Sequence, residues 1–146
     1  MILNDSWQTP QWLFVKLNNE FQFDIDLCTN GENSKCDMCV TQYFEFTPYE
    51  DSTCFMNPPY SNKLPFIEKA WEDSKYCKIV ILVPVDTSTK WWAVFWDYEN
   101  HKPKEGCEYP RFFNKRIKFD KPQGLETGSS GPTFPSCVLV FDRRNI

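Results

Sequence analysis

At 146 residues the chain has room for one domain with a genuine core, and too little for two comfortable ones. Charged residues at 25% and hydrophobic ones at 41% are ordinary for a globular protein and exclude a disordered or fibrous chain. A net charge of −4 excludes a uniformly basic surface but not a local basic patch, and 17% aromatic residues point to a surface that stacks on something planar.

The opening "MILNDSWQTPQW" has neither the basic nor the apolar region of a secretory signal, and no run reaches membrane-spanning length. "TPQWLFVKLNNEF" predicts a helix with Trp12, Leu13, Val15, Leu17 and Phe21 as its apolar residues and Pro10 in the first turn behind Thr9. "FQFDIDLC" alternates Phe21, Phe23, Ile25 and Leu27 with polar neighbours and predicts a short strand that ends near Asp26. The seven cysteines are an odd number with no leader ahead of them, which indicates free thiols in a reducing cytoplasm. Cys28, Cys36, Cys39 and Cys54 also admit a zinc reading, because "CDMC" has ligand spacing. No second pair of that spacing follows, and the single histidine, His101, is distant in sequence; ordinary buried thiols are the default.

"YFEF" reads as a short strand and "STCFM" as a strand that ends in "NPPY". Proline fixes its own φ and pushes the preceding residue out of helical geometry. Two in succession make a stiff turn that holds the Asn57 amide and a carbonyl in fixed directions, with Tyr60 offering a flat ring beside them. "LPFIEKAWEDSKY" predicts a helix with Phe66, Ile67, Ala70 and Trp71 on one face, and the unbroken apolar run "KIVILVPV" a strand buried on both sides. "TKWWAVFWDYE" predicts another helix; "RIKF" and "SCVLVFD" predict strands. Strands alternating with helices around a fully apolar strand indicate a doubly wound α/β sheet, whose ligands bind beyond the carboxyl ends of the strands. "ENHKPKEGCEYP" and "DKPQGLETGSSGPTFP" fit no element and are long enough for one of them to cover a substrate.

Asn-Pro-Pro-Tyr after a strand, followed by a helix and an apolar strand, resembles the catalytic tetrapeptide of amino-group methyltransferases that use S-adenosylmethionine. The residue types suit that chemistry. An exocyclic amine is a poor nucleophile because its lone pair is delocalised into the ring. Acceptors such as the Asn57 side-chain oxygen and the Pro58 carbonyl favour localising it as attack begins. Pro59 stiffens the turn, and Tyr60 would stack on a base taken out of its helix. No metal is required.

The resemblance extends beyond the tetrapeptide. "DSWQTPQWLF", "FDIDLCTNGENSKC", "FMNPPYSN", "LVPVDTSTKWW", "RIKF" and "FPSCVLVF" follow one another in the order of the small phage-type DNA N6-adenine methyltransferases. That resemblance implies a reduced, mostly parallel Rossmann-like methyltransferase fold over residues 1–146, S-adenosylmethionine as donor, DNA as substrate and a host cytoplasm as location. It implies Thr9 and Pro10 against the methionine end of the cofactor, the alternative being a helix cap. Asp26 would accept hydrogen bonds from the cofactor, Glu45 would be the acidic partner of its ribose, and Asn33 would lie near the site.

The sequence departs from the family in having only Gly31 where a glycine-rich loop is usual, Lys115 where a glycine is expected before Arg116, and a short stretch between the first strand and "NPPY". Lys102, Lys104, Arg111, Lys115, Arg116, Lys118 and Lys121 are a local excess of positive charge; Lys115, Arg116 and Lys118 are the candidate phosphate contacts, against a merely solvated face. Trp91, Trp92, Phe95, Trp96 and Tyr98 read mainly as packing residues, one or two of them lining a base pocket. Two other readings stand beside this one: an amino-methyltransferase acting on cytosine N4, RNA or protein glutamine, and a non-catalytic relative that binds DNA or a host protein.

Overall fold

The structure, a computed structural model, describes residues 8–29, 35–120 and 133–146. Its centre is a six-stranded sheet. Strands β1 (Ile25–Asp26), β2 (Met38–Cys39), β3 (Thr53–Met56) and β4 (Lys78–Pro84) pair in parallel in the order β2-β1-β3-β4. Two short ribbons come next in sequence, from β5 (Trp96–Asp97) with β6 (Lys102–Pro103) and from β8 (Ile117–Lys118) with β9 (Thr133–Phe134). Strand β10 (Ser136–Asp142) runs antiparallel along the whole of β4, and β7 (Arg111–Phe112) pairs antiparallel with β10 at the far edge. The sheet is therefore mixed and mostly parallel.

Alternation of side chains across the sheet sets up two cores. Ile79, Ile81 and Val83 face one side with Ile25, Cys54, Met56, Leu139 and Phe141, under α2 (Leu64–Asp73). Val80 and Leu82 face the other with Phe55, Val138 and Val140, under α1 (Gln11–Phe21). On α1 the buried residues are Leu13, Phe14 and Leu17, a single stripe at helical spacing. Trp12 and Val15, expected on that stripe, are 54% and 45% exposed. The helix starts one residue later than expected, with Pro10 at the cap position and no side-chain cap. It ends where Gln22 turns left-handed and the Asn18 side chain accepts the Phe23 backbone N–H at 2.8 Å. That ending explains why β1 is so short: Phe21 belongs to the helix, and only Ile25–Asp26 is left to pair on both sides.

Two expected elements take other forms. "YFEF" is a 3-10 turn, Tyr43–Glu45, rather than a strand. Its Tyr43 hydroxyl donates to Asp73 of α2 at 2.7 Å, and Lys69 lies over the Tyr43 ring while bonding the same carboxylate at 2.6 Å. "TKWWAVFWDYE" is a short 3-10 turn, Trp92–Val94, running into β5. Here Asp97 stops the helix. Its carboxylate accepts the backbone N–H groups of Glu99 and Asn100 at 3.0 and 3.2 Å and folds the chain back into β6. Trp91, Trp92 and Phe95 are buried in the α2 core. Part of the first unassigned segment, "ENHKPKEGCEYP", becomes β6, whereas 121–132 of the second, together with Gly31, Asn33 and Lys121, lie outside the described residues.

Exposure separates two substitutions that the sequence pattern treats alike. Ile81→Ala, at a fully buried position of β4, is expected to lower the unfolding free energy by about 2–5 kcal/mol, whereas Trp12→Ala stays within about 0.5 kcal/mol of the parent. Urea titration followed by circular dichroism measures both.

Candidate active site

Neighbours β2 and β3 lie on opposite sides of β1, so the connections leaving β1 and arriving at β3 diverge at the β1/β3 boundary. In an open α/β sheet such a divergence opens a crevice beyond the carboxyl ends of the strands. Asp26 ends β1 and is paired across to Phe55 of β3, and two residues further on, just past the end of β3, the chain reaches Asn57. The topology thus brings Asp26 and the "NPPY" turn to one rim.

Asn57 is half-buried, and its amide nitrogen donates to the Thr9 hydroxyl at 3.0 Å. Thr9 is only 3% exposed; its hydroxyl serves Asn57, 48 residues away, and does not cap α1. With the nitrogen engaged, the amide oxygen is left over. Among the described residues the buried side-chain polar atoms without a hydrogen-bond partner are Asn57 Oδ1 and the Tyr60 hydroxyl. The buried Pro58 accepts no hydrogen bond at its carbonyl among the described residues, while the Pro59 carbonyl accepts the Asn62 N–H at 3.4 Å. Buried acceptors without partners cost about 1–3 kcal/mol each and are rare. Finding both on one tetrapeptide marks a place where a polar ligand belongs.

The Tyr60 ring is held edge-on by Phe119 and Phe134, with centroids 5.6 and 5.1 Å away. Lys63 donates to the Tyr60 carbonyl at 2.6 Å and its ammonium lies 5.2 Å from the Tyr60 ring centroid and 5.7 Å from that of Trp91. Burial pushes the Tyr60 hydroxyl well above the usual phenol range, so it stays protonated and able to donate. Phe119 and Phe134 are not legible in the sequence because contacts across the fold, rather than spacing, bring them to the motif; Lys63 is a local neighbour, three residues after Tyr60.

Asp26 is 3% exposed, and burial raises its carboxyl to about 6 from an ordinary 3.8, against the pull of backbone N–H groups from Lys35 at 3.0 Å and Cys28 at 3.4 Å. Glu45, on the exposed 3-10 turn, is not at a strand end; the second strand of the parallel set is β2, six residues earlier. Cys28 and Cys36 are half-buried, Cys39 is exposed and Cys54 is buried; all seven cysteines are free thiols. Burial, with the Asp26 carboxylate adding to it, pushes the Cys28 and Cys36 thiols up. Among the described residues no three histidine, cysteine or acidic side chains come together as a metal site, and no helix is long and apolar enough to cross a membrane.

The basic run is divided by the fold. Arg111 is tied to Glu20 at 2.7 Å and Glu108 at 3.1 Å at the β7 edge. Lys115, Arg116 and Lys118 are exposed around β8, where Arg116 bonds the Thr133 carbonyl at 3.0 Å and its hydroxyl at 3.2 Å.

A family model described as DNA N-6-adenine-methyltransferase (Dam) matches residues 2–142 of this chain. A DNA N-6-adenine-methyltransferase of Haemophilus phage HP1 is 38% identical over 145 residues, spanning 94% of this chain and 79% of the relative. A protein of the same description from Escherichia phage T1 is 28% identical over 96 residues, 62% of this chain and 40% of that relative.

The raised Asp26 carboxyl fixes the sign of a pH effect. A carboxyl whose folded value lies above its unfolded one favours the fold while protonated, and that contribution is lost as pH rises from 3.8 to about 6. Carbon-13 titration of the ligand-free protein is expected to show a midpoint near 6, and the stability gap between the parent and Asp26→Asn should shift against the parent across that same interval.

Proposed function

The chain belongs to the DNA N-6-adenine-methyltransferase (Dam) family, and on that footing we propose that it transfers a methyl group from S-adenosylmethionine to the exocyclic N6 of adenine in DNA. The observation that carries the reading is the unpartnered Asn57 Oδ1, buried just past the carboxyl end of β3 and left free while its own amide nitrogen bonds Thr9. An amide oxygen so placed asks for a hydrogen-bond donor, and the two N–H bonds of an adenine amine match it and the Pro58 carbonyl together.

In this reading Asn57 and Pro58 accept from the amine and stabilise the positive charge that grows on nitrogen as the new N–C bond forms. Because both acceptors are already fixed, by Thr9 and by the Pro58-Pro59 turn, little reorganisation accompanies the reaction. The amine then loses one proton to solvent. Tyr60 offers a ring face to an extruded base, and Lys63, which now lies over that ring, would move aside or pack at its rim. Bound at the site, S-adenosylmethionine would supply an electrophilic methyl group on a positively charged sulfur, the S–C bond breaking to leave a neutral thioether. Asp26 suits its hydrogen-bond donors: a buried carboxyl at the strand end, raised toward 6, gains partners and is drawn back to the ionised form when they bind. Pro10, next to Thr9, is assigned to the cofactor side, and the exposed Glu45 to the cofactor's ribose.

The fold reading follows the same line. Parallel strands with the crevice at the β1/β3 divergence and antiparallel strands at one edge suit a reduced Rossmann-like methyltransferase architecture, and residues 1–146 are taken as one such domain. Phage relatives favour action in the cytoplasm of an infected host.

Transfer of labelled methyl groups to unmethylated DNA tests the proposal. The parent should place label on adenine N6, and Asn57→Ala should reduce turnover by about two to three orders of magnitude. Thr9→Val, which frees the Asn57 amide to rotate, should lower turnover about tenfold while Thr9→Ser retains it. Label on cytosine N4, RNA or protein would overturn the substrate assignment; folded, cofactor-binding protein without transfer to any of them would overturn the enzymatic reading.

A further inference from the structure

A cleft of about 460 Å³ is lined by Trp12, Lys115, Arg116, Ile117 and Lys118. We propose that it holds a second nucleobase of the DNA, a neighbour of the methylated adenine in the same strand, stacked on Trp12 with its flanking phosphates on Lys115 and Lys118. This rests on the methyltransferase reading and adds a substrate contact to it.

Several features converge on that occupant. The volume is within the roughly 300–1,000 Å³ of small-ligand sites. Trp12 is 54% exposed on a helix whose apolar stripe, Leu13, Phe14 and Leu17, is buried without it. The indole stands outside that core and lines the cleft. Three exposed cations surround it, and neither Lys115 nor Lys118 takes part in an ion pair among the described residues. The neighbouring acid, Asp120, accepts the Gln11 backbone N–H at 3.2 Å and so is partly neutralised by the start of α1. A ligand that is planar and apolar in one part and anionic in another fits this set; a nucleotide is such a ligand.

Both walls adjoin, along the chain, residues that touch the proposed catalytic turn. Trp12 is three residues from Thr9, which holds Asn57, and Lys118 precedes Phe119, which packs on Tyr60. Joined to the turn so closely along the chain, the cleft is assigned to a nucleotide next to the adenine held at Asn57. A base held here would help fix the strand's register.

The test uses oligonucleotides that carry one methylated site, mapped beforehand from methylated plasmid, with an abasic residue placed in turn at each flanking position. Equilibrium binding by fluorescence anisotropy and methyl transfer are measured in parallel for the parent, Trp12→Ala, Trp12→Phe and Lys118→Gln. Trp12→Ala is expected to weaken binding about tenfold and Trp12→Phe less. Lys118→Gln should weaken binding and flatten its salt dependence. At one flanking position the abasic substitution should cost the parent the same factor and cost Trp12→Ala nothing further. Equal losses for Trp12→Ala at every abasic position, or unchanged binding, would overturn the cleft assignment while the parent's methyl transfer stands. A plasmid left unmethylated by folded, cofactor-binding protein would overturn the enzymatic reading and, with it, the cleft assignment that rests on it. An unaltered S-adenosylmethionine affinity and thermal midpoint in Trp12→Ala confirm that the variant is folded.

Discussion

A parallel sheet must be covered on both of its faces, and most of this structure follows from that constraint. In β4 the alternate residues Ile79, Ile81 and Val83 point one way and Val80 and Leu82 the other, and none of the five is exposed. One helix therefore lies on each face, α1 over Phe55 and Val80 and α2 over Cys54 and Ile79. With both faces occupied, the rims are what remain for chemistry. Because β1, β3 and β4 run in the same direction, their carboxyl ends gather on one rim, and that is where Asp26 and Asn57 come together.

The polar atoms at this rim are arranged against the stability of the ligand-free chain. Asn57 Oδ1 and the Tyr60 hydroxyl are buried without partners, and Asp26 is a carboxyl held where ionisation is disfavoured. Each is a local cost that the two apolar cores offset. The Thr9 hydroxyl adds direction to that cost. By engaging the amide nitrogen it decides which end of Asn57 stays free, so a residue ahead of α1 controls the electronic character presented by a turn 48 positions later.

How much of this the sequence discloses depends on the range of the interaction. Strands β3, β4 and β10 and both helices are legible because apolar runs and 3.6-residue spacing are local signals. "NPPY" is legible because proline acts on its immediate neighbours. The segment after β4 misleads: its tryptophans have helical spacing, but the Asp97 carboxylate captures two backbone N–H groups and turns the chain. "YFEF" misleads likewise, since Tyr43 is committed to Asp73 on α2 rather than to a neighbouring strand. Thr9 was placed at the site by resemblance, yet its bond to Asn57 joins two segments that nothing in the spacing links. Trp12 looks like one more apolar residue until the helix phase turns it outward.

The placement of β10 also governs the order in which the molecule can be built. It is zipped to β4 along seven residue pairs and stands between β4 and β7, although both of those strands are made earlier. Until synthesis has passed Asp142, β4 presents an apolar strand with one open edge, and β7 has no partner in the sheet. An open edge of this kind is a template for pairing with another chain. The nascent protein is thus most exposed to aggregation just before its sheet closes, and its yield in a cell depends on how fast, or how well chaperoned, that last insertion is.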